Sequence, residues 1–119
     1  MKKTLILGAS TNPERYAFLA AHRISNHGHP IELVGLKEGV VAGQQIHTDK
    51  PAFDDIDTVS LYVGPRNQPE WYDYIVSLHP KRVIFNPGTE NDEFVALLTQ
   101  NGIEAQEACT LVLLSIDAY

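Results

Sequence analysis

The run LILGASTNPERYAFLAA, residues 5–21, decides the fold that we expect for this chain. An apolar segment ends in Gly-Ala-Ser-Thr-Asn-Pro, and an Ala-rich segment with helical spacing of its apolar residues follows. A strand, a short polar loop and a helix in this order form a unit that can hold phosphate, because free N–H groups gather at the helix N-terminus. The loop has a single glycine, Gly8, where dinucleotide-binding loops usually carry three. The loop alone is equally consistent with phosphate binding and with a simple turn and helix cap.

Length, charge and cysteine content restrict the class of protein. The 119 residues are enough for one domain, which we expect to span residues 1–119. The net charge is -6 and no basic run is present, so we expect no nucleic-acid partner. Cys109 is the only cysteine, and no apolar run is long enough for a signal peptide or a membrane span. We therefore expect a cytoplasmic protein that does not contact membranes.

Apolar runs and turn residues predict five strands with helices between them. The strands are expected at residues 3–8, 31–36, 57–63, 82–85 and 103–107, with a polar loop after the second. Asn12 and Pro13 are typical of the start of the first helix. Pro69 is expected to open the second helix, and Thr89 to cap the third. The segment 110–116 is ambiguous between helix and strand, and we favour a short helix.

Strands that alternate with helices predict a three-layer α/β fold. The expected sheet has five parallel strands in the order 3-2-1-4-5, with helices on both faces and right-handed crossovers. This order reverses between the first and fourth strands. Ligands of open α/β sheets bind at such a reversal, beside the carboxyl ends of the strands.

Four loops are expected to meet at that edge of the sheet: residues 8–13, 37–43, 64–68 and 86–91. Each loop contains Gly or Pro, so that its backbone can approach a ligand closely. The second strand ends in Leu36 and Lys37, whereas NAD sites place an acid there for the ribose. Lys37 instead suits a phosphate on the ribose, as in NADP or coenzyme A, or is an ordinary solvated lysine. Arg15 and Arg66 are each either phosphate ligands or surface charges.

Five segments of the chain resemble a known family. They are LILGASTNPERYAFLAAHRISNHGHPIELVG (5–35), AGQQIH (42–47), DTVSLYVGP (57–65), VIFNPGTENDEF (83–94) and NGIEAQEAC (101–109). Together they resemble the small, stand-alone CoA-binding proteins and are similar to the CoA-binding domain of the succinyl-CoA synthetase α-subunit. The resemblance covers nearly the whole chain. It implies a Rossmann-like fold that holds the ADP part of coenzyme A along these loops.

The resemblance also implies a set of binding residues. Those expected to face the pyrophosphate are Gly8, Ala9, Ser10 and Thr11, with Arg15 as a further phosphate candidate. Lys37 is expected near the ribose phosphate. The adenine or pantetheine path would be lined by Val63, Gly64 and Pro65, and its far end bordered by Asn86, Pro87 and Gly88.

The predicted function is therefore binding of coenzyme A or an acyl-CoA by a binding or regulatory module rather than by an enzyme. Two alternatives stay open. One is an NADP-dependent redox protein completed by dimerisation, and the other is a scaffold subunit with a vestigial nucleotide pocket. A homodimer is compatible with each of these functions.

We expect no catalytic group. We also expect no metal site, since the five histidines lack metal-ligand spacing. Cys109 is either an inert core residue or a thiol facing the ligand edge.

Overall fold

The computed structural model describes residues 1–119, which form a seven-stranded sheet between two helical layers. The strands are β1 Thr4–Ala9, β2 Ile31–Gly35, β3 Val40–Val41, β4 Gln44–His47, β5 Thr58–Leu61, β6 Arg82–Phe85 and β7 Glu104–Glu107. The helices are α1 Tyr16–Asn26, α2 Tyr72–Leu78, α3 Asp92–Gln100 and α4 Thr110–Ser115. None of these helices combines the length and the hydropathy that crossing a membrane requires.

The apolar side chains of the central strand alternate between the two faces of the sheet. Leu5 and Leu7 of β1 belong to the core that α2 and α3 cover, where Ile75 and Phe94 are fully buried. Ile6 faces the opposite core, beneath α1 and α4. This alternation is the period of two that a strand imposes, and it gives the protein one core on each face of the sheet.

The prediction of five strands in the order 3-2-1-4-5 is wrong. The sheet has seven strands in the order β3-β4-β2-β1-β5-β6-β7, and every neighbouring pair is parallel except β3 with β4. The error lies in the segment after β2, which we expected as a polar loop. It folds as a hairpin whose second strand buries Ile46 and pairs with Leu33 of β2. The strand at 58–61 then pairs with β1 rather than with β2.

The corrected order moves the reversal of the sheet to the gap between β1 and β5. From β1 the chain builds β2 and β4 outward on one side, then returns to the other side of β1 with β5. Crevices at the carboxyl ends of strands form where the order reverses in this way. A ligand crevice is therefore expected beside β1, after Ala9 and after Leu61.

The first helix begins three residues later than Asn12 and Pro13 predict. Arg15 is the residue that precedes α1, and no side chain caps the helix. Asn12 acts in a local turn instead: its Oδ1 accepts the N–H of Glu14 at 3.0 Å, and its own N–H donates to Ser10 Oγ at 3.0 Å. The loop between β1 and α1 therefore spans residues 10–15.

Three other predicted boundaries have mixed outcomes. Pro69 opens a short 3₁₀ turn rather than the helix itself, and α2 starts at Tyr72. Thr89 does not cap α3, because Asn91 Oδ1 accepts the N–H of Phe94 at 3.2 Å. The short helix predicted at the end of the chain is confirmed as α4.

Candidate functional site

The carboxyl ends of the central strands bring several of the predicted loops to one edge. Leu7, Leu61, Phe85 and Glu107 lie side by side across β1, β5, β6 and β7. The N–H of Tyr62, the first residue after β5, still donates to Leu7 O at 2.8 Å. The loops that follow β1, β5 and β6 therefore start at the same level of the sheet, as we predicted for the site.

The loop after β1 and the start of α1 present unused hydrogen-bond donors. The N–H groups of Ser10, Thr11, Tyr16 and Ala17 have no acceptor within the chain. Tyr16 and Ala17 lie in the first turn of an eleven-residue helix, where the helix dipole adds partial positive charge, and Ser10 and Thr11 lie in the loop that leads to it. This segment is suited to binding an anionic group through its backbone.

Gly8 is required by a close approach inside the fold. Its φ is +96°, and the pairing of β1 with β2 is irregular between Leu7 and Ala9. A Cβ built on Gly8 would lie 3.0–3.2 Å from the Tyr62 carbonyl group and side chain. Gly8 therefore lets β1 and the loop after β5 meet, and Ala9 and Ser10 then leave the sheet at the crevice.

The loop after β2 packs against the loop after β1. A Cβ on Gly39 would overlap the Cγ2 methyl of Thr11, so any larger residue here would require the Thr11 side chain to move. Leu36 is 91% exposed, and Lys37 is exposed and forms no hydrogen bond or ion pair. Arg15 is likewise exposed without a partner for its guanidinium. Both cations are free to meet a ligand phosphate, but the chain does not hold either in place.

The loops after β5 and β6 divide the predicted residues into exposed and internal groups. Val63 is half-buried, and the exposed residues are Gly64, Pro65, Pro87 and Gly88. Asn86, in contrast, is buried and fully used within the protein. Its Nδ2 donates to Ser60 Oγ and Leu61 O, both at 3.0 Å, and its Oδ1 accepts the N–H of Thr110 at 2.8 Å. The Asn86 side chain thus ties β5 and α4 together and does not face the edge.

Gln68 is a residue of this edge that sequence reasoning did not single out. It has no accessible surface, and its amide joins the loop after β5 to the loop after β6. A polar residue between Asn67 and Pro69 has the pattern of a solvated turn, so nothing in the sequence signals its burial.

An acidic side chain also reaches the edge. Glu90 Oε1 accepts the N–H of Gly88 at 2.8 Å. This N–H is therefore occupied within the chain, unlike those of Ser10 and Thr11. An anionic ligand that approached Gly88 would have to displace a carboxylate.

Tyr62 and Cys109 lie behind the edge. Burial raises the pKa of Tyr62 to about 12, so its hydroxyl stays protonated at neutral pH. This hydroxyl is buried without a hydrogen-bond partner. Cys109 is half-buried and immediately precedes α4. As we expected, it follows the last strand of the sheet, β7, at its carboxyl end.

Two open cavities lie at the opposite edge of the sheet. One of about 170 Å³ is lined by His27, His29, Leu114, Asp117 and Tyr119, and one of about 460 Å³ by residues that include Lys3, Asp57 and Lys81. Both adjoin the amino ends of the strands rather than the predicted loops. No group of three His, Cys, Asp or Glu side chains is placed to hold a metal ion.

Six parallel strands, a reversal beside β1 and helices on both faces define a Rossmann-like α/β protein. Within that class, the chain belongs to the family described as CoA binding domain, whose model matches residues 2–115. The predicted resemblance is thereby confirmed.

Several solved structures share this fold. One, described only as an uncharacterized protein, is 54% identical with a TM-score of 0.98, and the match covers 100% of this chain and 98% of that one. A hypothetical protein from Pyrococcus horikoshii OT3 is 27% identical with a TM-score of 0.83, over 93% of this chain and 80% of that one. A Thermus thermophilus protein shares the fold at 17% identity, with a TM-score of 0.87 over 99% and 90% of the two chains. No protein with a curated description matches the chain.

Proposed function

We propose that the chain binds coenzyme A or an acyl-CoA in the crevice beside β1, as a binding or regulatory module. The observation that carries this proposal is the family match, which spans residues 2–115. The unused N–H groups at the start of α1 support it, because a pyrophosphate needs several donors at one place.

The proposed binding mode assigns each loop a part of the ligand. Ser10 and Thr11, with Gly8 and Ala9 leading into them, receive the pyrophosphate through backbone N–H groups and hydroxyls. Arg15 stands beside the same helix start as a mobile counter-charge.

The remaining loops hold the two ends of the ligand. Lys37 meets the ribose 3′-phosphate, since it follows β2, where sites of this fold recognise the ribose. The adenine or pantetheine path is lined by Val63, Gly64 and Pro65. Pro87 and Gly88 border its far end, and Asn86 supports that loop from inside.

Ligand-induced stabilisation tests the proposal. A ligand present at about a hundred times its Kd raises the free energy of unfolding by roughly 2.7 kcal/mol, which is several degrees of melting temperature for a domain of this size. Coenzyme A should raise the melting temperature more than NAD, NADP or FAD at equal concentration. A larger shift with NADP would favour a redox protein completed by dimerisation. No shift with any of the four would overturn the proposal and favour a scaffold with a vestigial pocket.

A further inference from the structure

We propose that Gln68 is a positioning residue that turns the N–H groups of Gly64 and Glu90 outward, where each can donate to an oxygen acceptor of the ligand. The inference rests on the proposed function, because it adds Gln68 and the N–H of Glu90 to the same site and gives the N–H of Gly64 a specific role. The acceptor is either a phosphate oxygen of the ADP part or an amide carbonyl of the pantetheine arm.

The Gln68 side chain links two loops that come from different strands. Its Nε2 donates to Val63 O at 2.8 Å and to Thr89 O at 2.7 Å, which uses both hydrogens of the amide. Its Oε1 accepts from Asn91 Nδ2 at 2.9 Å. With two carbonyl oxygens at one end and a donor at the other, the amide fits in a single orientation. Since both carbonyls contact one nitrogen, the two peptide groups are neighbours.

Both carbonyl groups point inward at Gln68, and the geometry of a peptide group places its N–H on the opposite, outward side. All peptide bonds of the chain are trans, and a trans peptide holds its C=O and N–H in opposite directions. The Val63 carbonyl points at Gln68, so the N–H of Gly64 in the same peptide group points away from it. The Thr89 carbonyl does the same for the N–H of Glu90. Neither N–H has an acceptor within the chain, and both residues are exposed.

Loss of the Gln68 amide would release both peptide groups. Two buried carbonyls would lose their donor, and each peptide could rotate to reach water, which would turn its N–H away from the ligand. A pair of peptide donors lost in this way corresponds to roughly tenfold to a hundredfold in affinity. The loop after β1 has no bond to Gln68, so its own donors would remain in place.

The test compares two Gln68 variants with a control from the outer end of the same network. Gln68→Glu replaces the donor with a carboxylate, and Gln68→Met removes it while keeping an apolar side chain of similar length, which tolerates burial. The control is Tyr72→Phe, which removes a hydroxyl that accepts from Asn91 Nδ2 and donates to Glu93 at 3.1 Å, and leaves both carbonyl contacts intact. Calorimetry measures the affinity of each folded protein for coenzyme A, ADP, pantetheine and inorganic pyrophosphate.

We expect coenzyme A to bind at least tenfold more weakly to either Gln68 variant and equally well to Tyr72→Phe. The part of the ligand that Gln68 does not serve should keep its affinity in both variants, which separates the positioning role from a general loss of structure. A loss shared by ADP and inorganic pyrophosphate but not by pantetheine identifies the acceptor as phosphate, and a loss confined to pantetheine identifies it as an amide carbonyl. If Gln68→Met binds coenzyme A within twofold of the unmodified protein, the inference is overturned. If the unmodified protein itself binds no coenzyme A, the proposed function fails first.

Discussion

Gly8 carries both the positive φ and the close approach that shape the crevice beside β1. We expect Gly8→Ala to lower the free energy of unfolding by about 2–3 kcal/mol, because Ala is strained at this φ and its Cβ crowds Tyr62. Gly28→Ala is the matched control: its φ is +86°, but nothing lies within 4 Å of the added Cβ, so it should cost only about 1–2 kcal/mol. Urea unfolding measures both. Equal losses would mean that the contact with Tyr62 does not matter.

Lys37 is the residue whose proposed role is most easily isolated. A free, exposed lysine that meets a phosphate contributes about 1 kcal/mol after screening, which is roughly fivefold in affinity. Lys37→Ala should therefore weaken coenzyme A about fivefold and leave dephospho-CoA nearly unchanged. Lys81→Ala, at the opposite edge, should alter neither affinity. Equal weakening of both ligands in Lys37→Ala would show that the residue does not recognise the 3′-phosphate.

His29 links stability to pH. Burial lowers the pKa of His29, and the positive charges of the N-terminus, His27, Lys2 and Arg82 lower it further. Its Nδ1 accepts the N–H of Lys2 at 2.9 Å, a bond that protonation of this nitrogen would break. The unfolded chain therefore binds the proton more readily than the folded one. The resulting stability is present above about pH 6.5, the ordinary pKa, and is lost as the pH falls through the lower folded pKa.

We expect the free energy of unfolding, measured in urea between pH 7.5 and 5.5, to fall with pH less steeply in His29→Asn than in the unmodified protein. The Asn side chain keeps an acceptor for Lys2 but does not titrate in this range. Identical slopes would mean that other groups account for the pH dependence.

At the scale of elements, β4 is the part of the sheet that sequence patterns did not reveal. The turn Ala42-Gly43 has positive φ at both residues, 51° and 78°, as a two-residue type I′ hairpin requires. In a sequence, such turns are usually predicted from the pair Asn-Gly or Asp-Gly. Here the first residue is Ala42, so the sequence does not indicate a hairpin turn. The strands are also very short, with Ile46 the one fully buried side chain of β4, so hydrophobic periodicity had little to detect.

The same turn provides an element-scale prediction. Asn tolerates positive φ better than Ala, so Ala42→Asn should stabilise the hairpin and raise the free energy of unfolding by about 0.5–1 kcal/mol. Ala42→Val, with a β-branched side chain, should lower it. Thermal unfolding followed by circular dichroism measures both. A loss of stability in Ala42→Asn would show that the hairpin is limited by something other than its turn.

The five predicted strands exist, whereas two of the predicted helix caps do not. The strands at 31–36 and 82–85 are short runs of mainly apolar residues, and most of their residues are buried. The start of a helix depends on which of several neighbouring polar side chains accepts a hydrogen bond from a backbone N–H. Asn91 rather than Thr89 caps α3, and Asn12 accepts a hydrogen bond within its own turn instead of capping α1. The roles of Asn86 and Gln68 depend on contacts across loops, which local sequence does not encode.

At the scale of the molecule, the meeting of the loops at one edge was predictable although the strand order was not. All strands after a parallel crossover end at one edge, so the loops after β1, β5 and β6 meet there whichever strand lies beside β1. The strand order determines where the sheet reverses. Because β4 rather than β5 lies beside β2, the reversal lies between β1 and β5. The free N–H groups of Ser10 and Thr11 lie in the loop after β1, at this same edge.

The two cores share every central strand, and this predicts a single cooperative unfolding transition. Neighbouring residues of β1 face opposite cores, so neither core can be lost while β1 stays in place. Trp71, the only tryptophan, reports on the α2 and α3 face, whereas Ile24, a residue of α1, is fully buried on the other face. Ile24→Ala should lower the free energy of unfolding by about 2–5 kcal/mol. Because the two faces unfold together, the Trp71 fluorescence midpoint and the circular dichroism midpoint should fall equally in urea. A fluorescence transition that stays in place while the dichroism transition moves would mean that the two faces unfold independently.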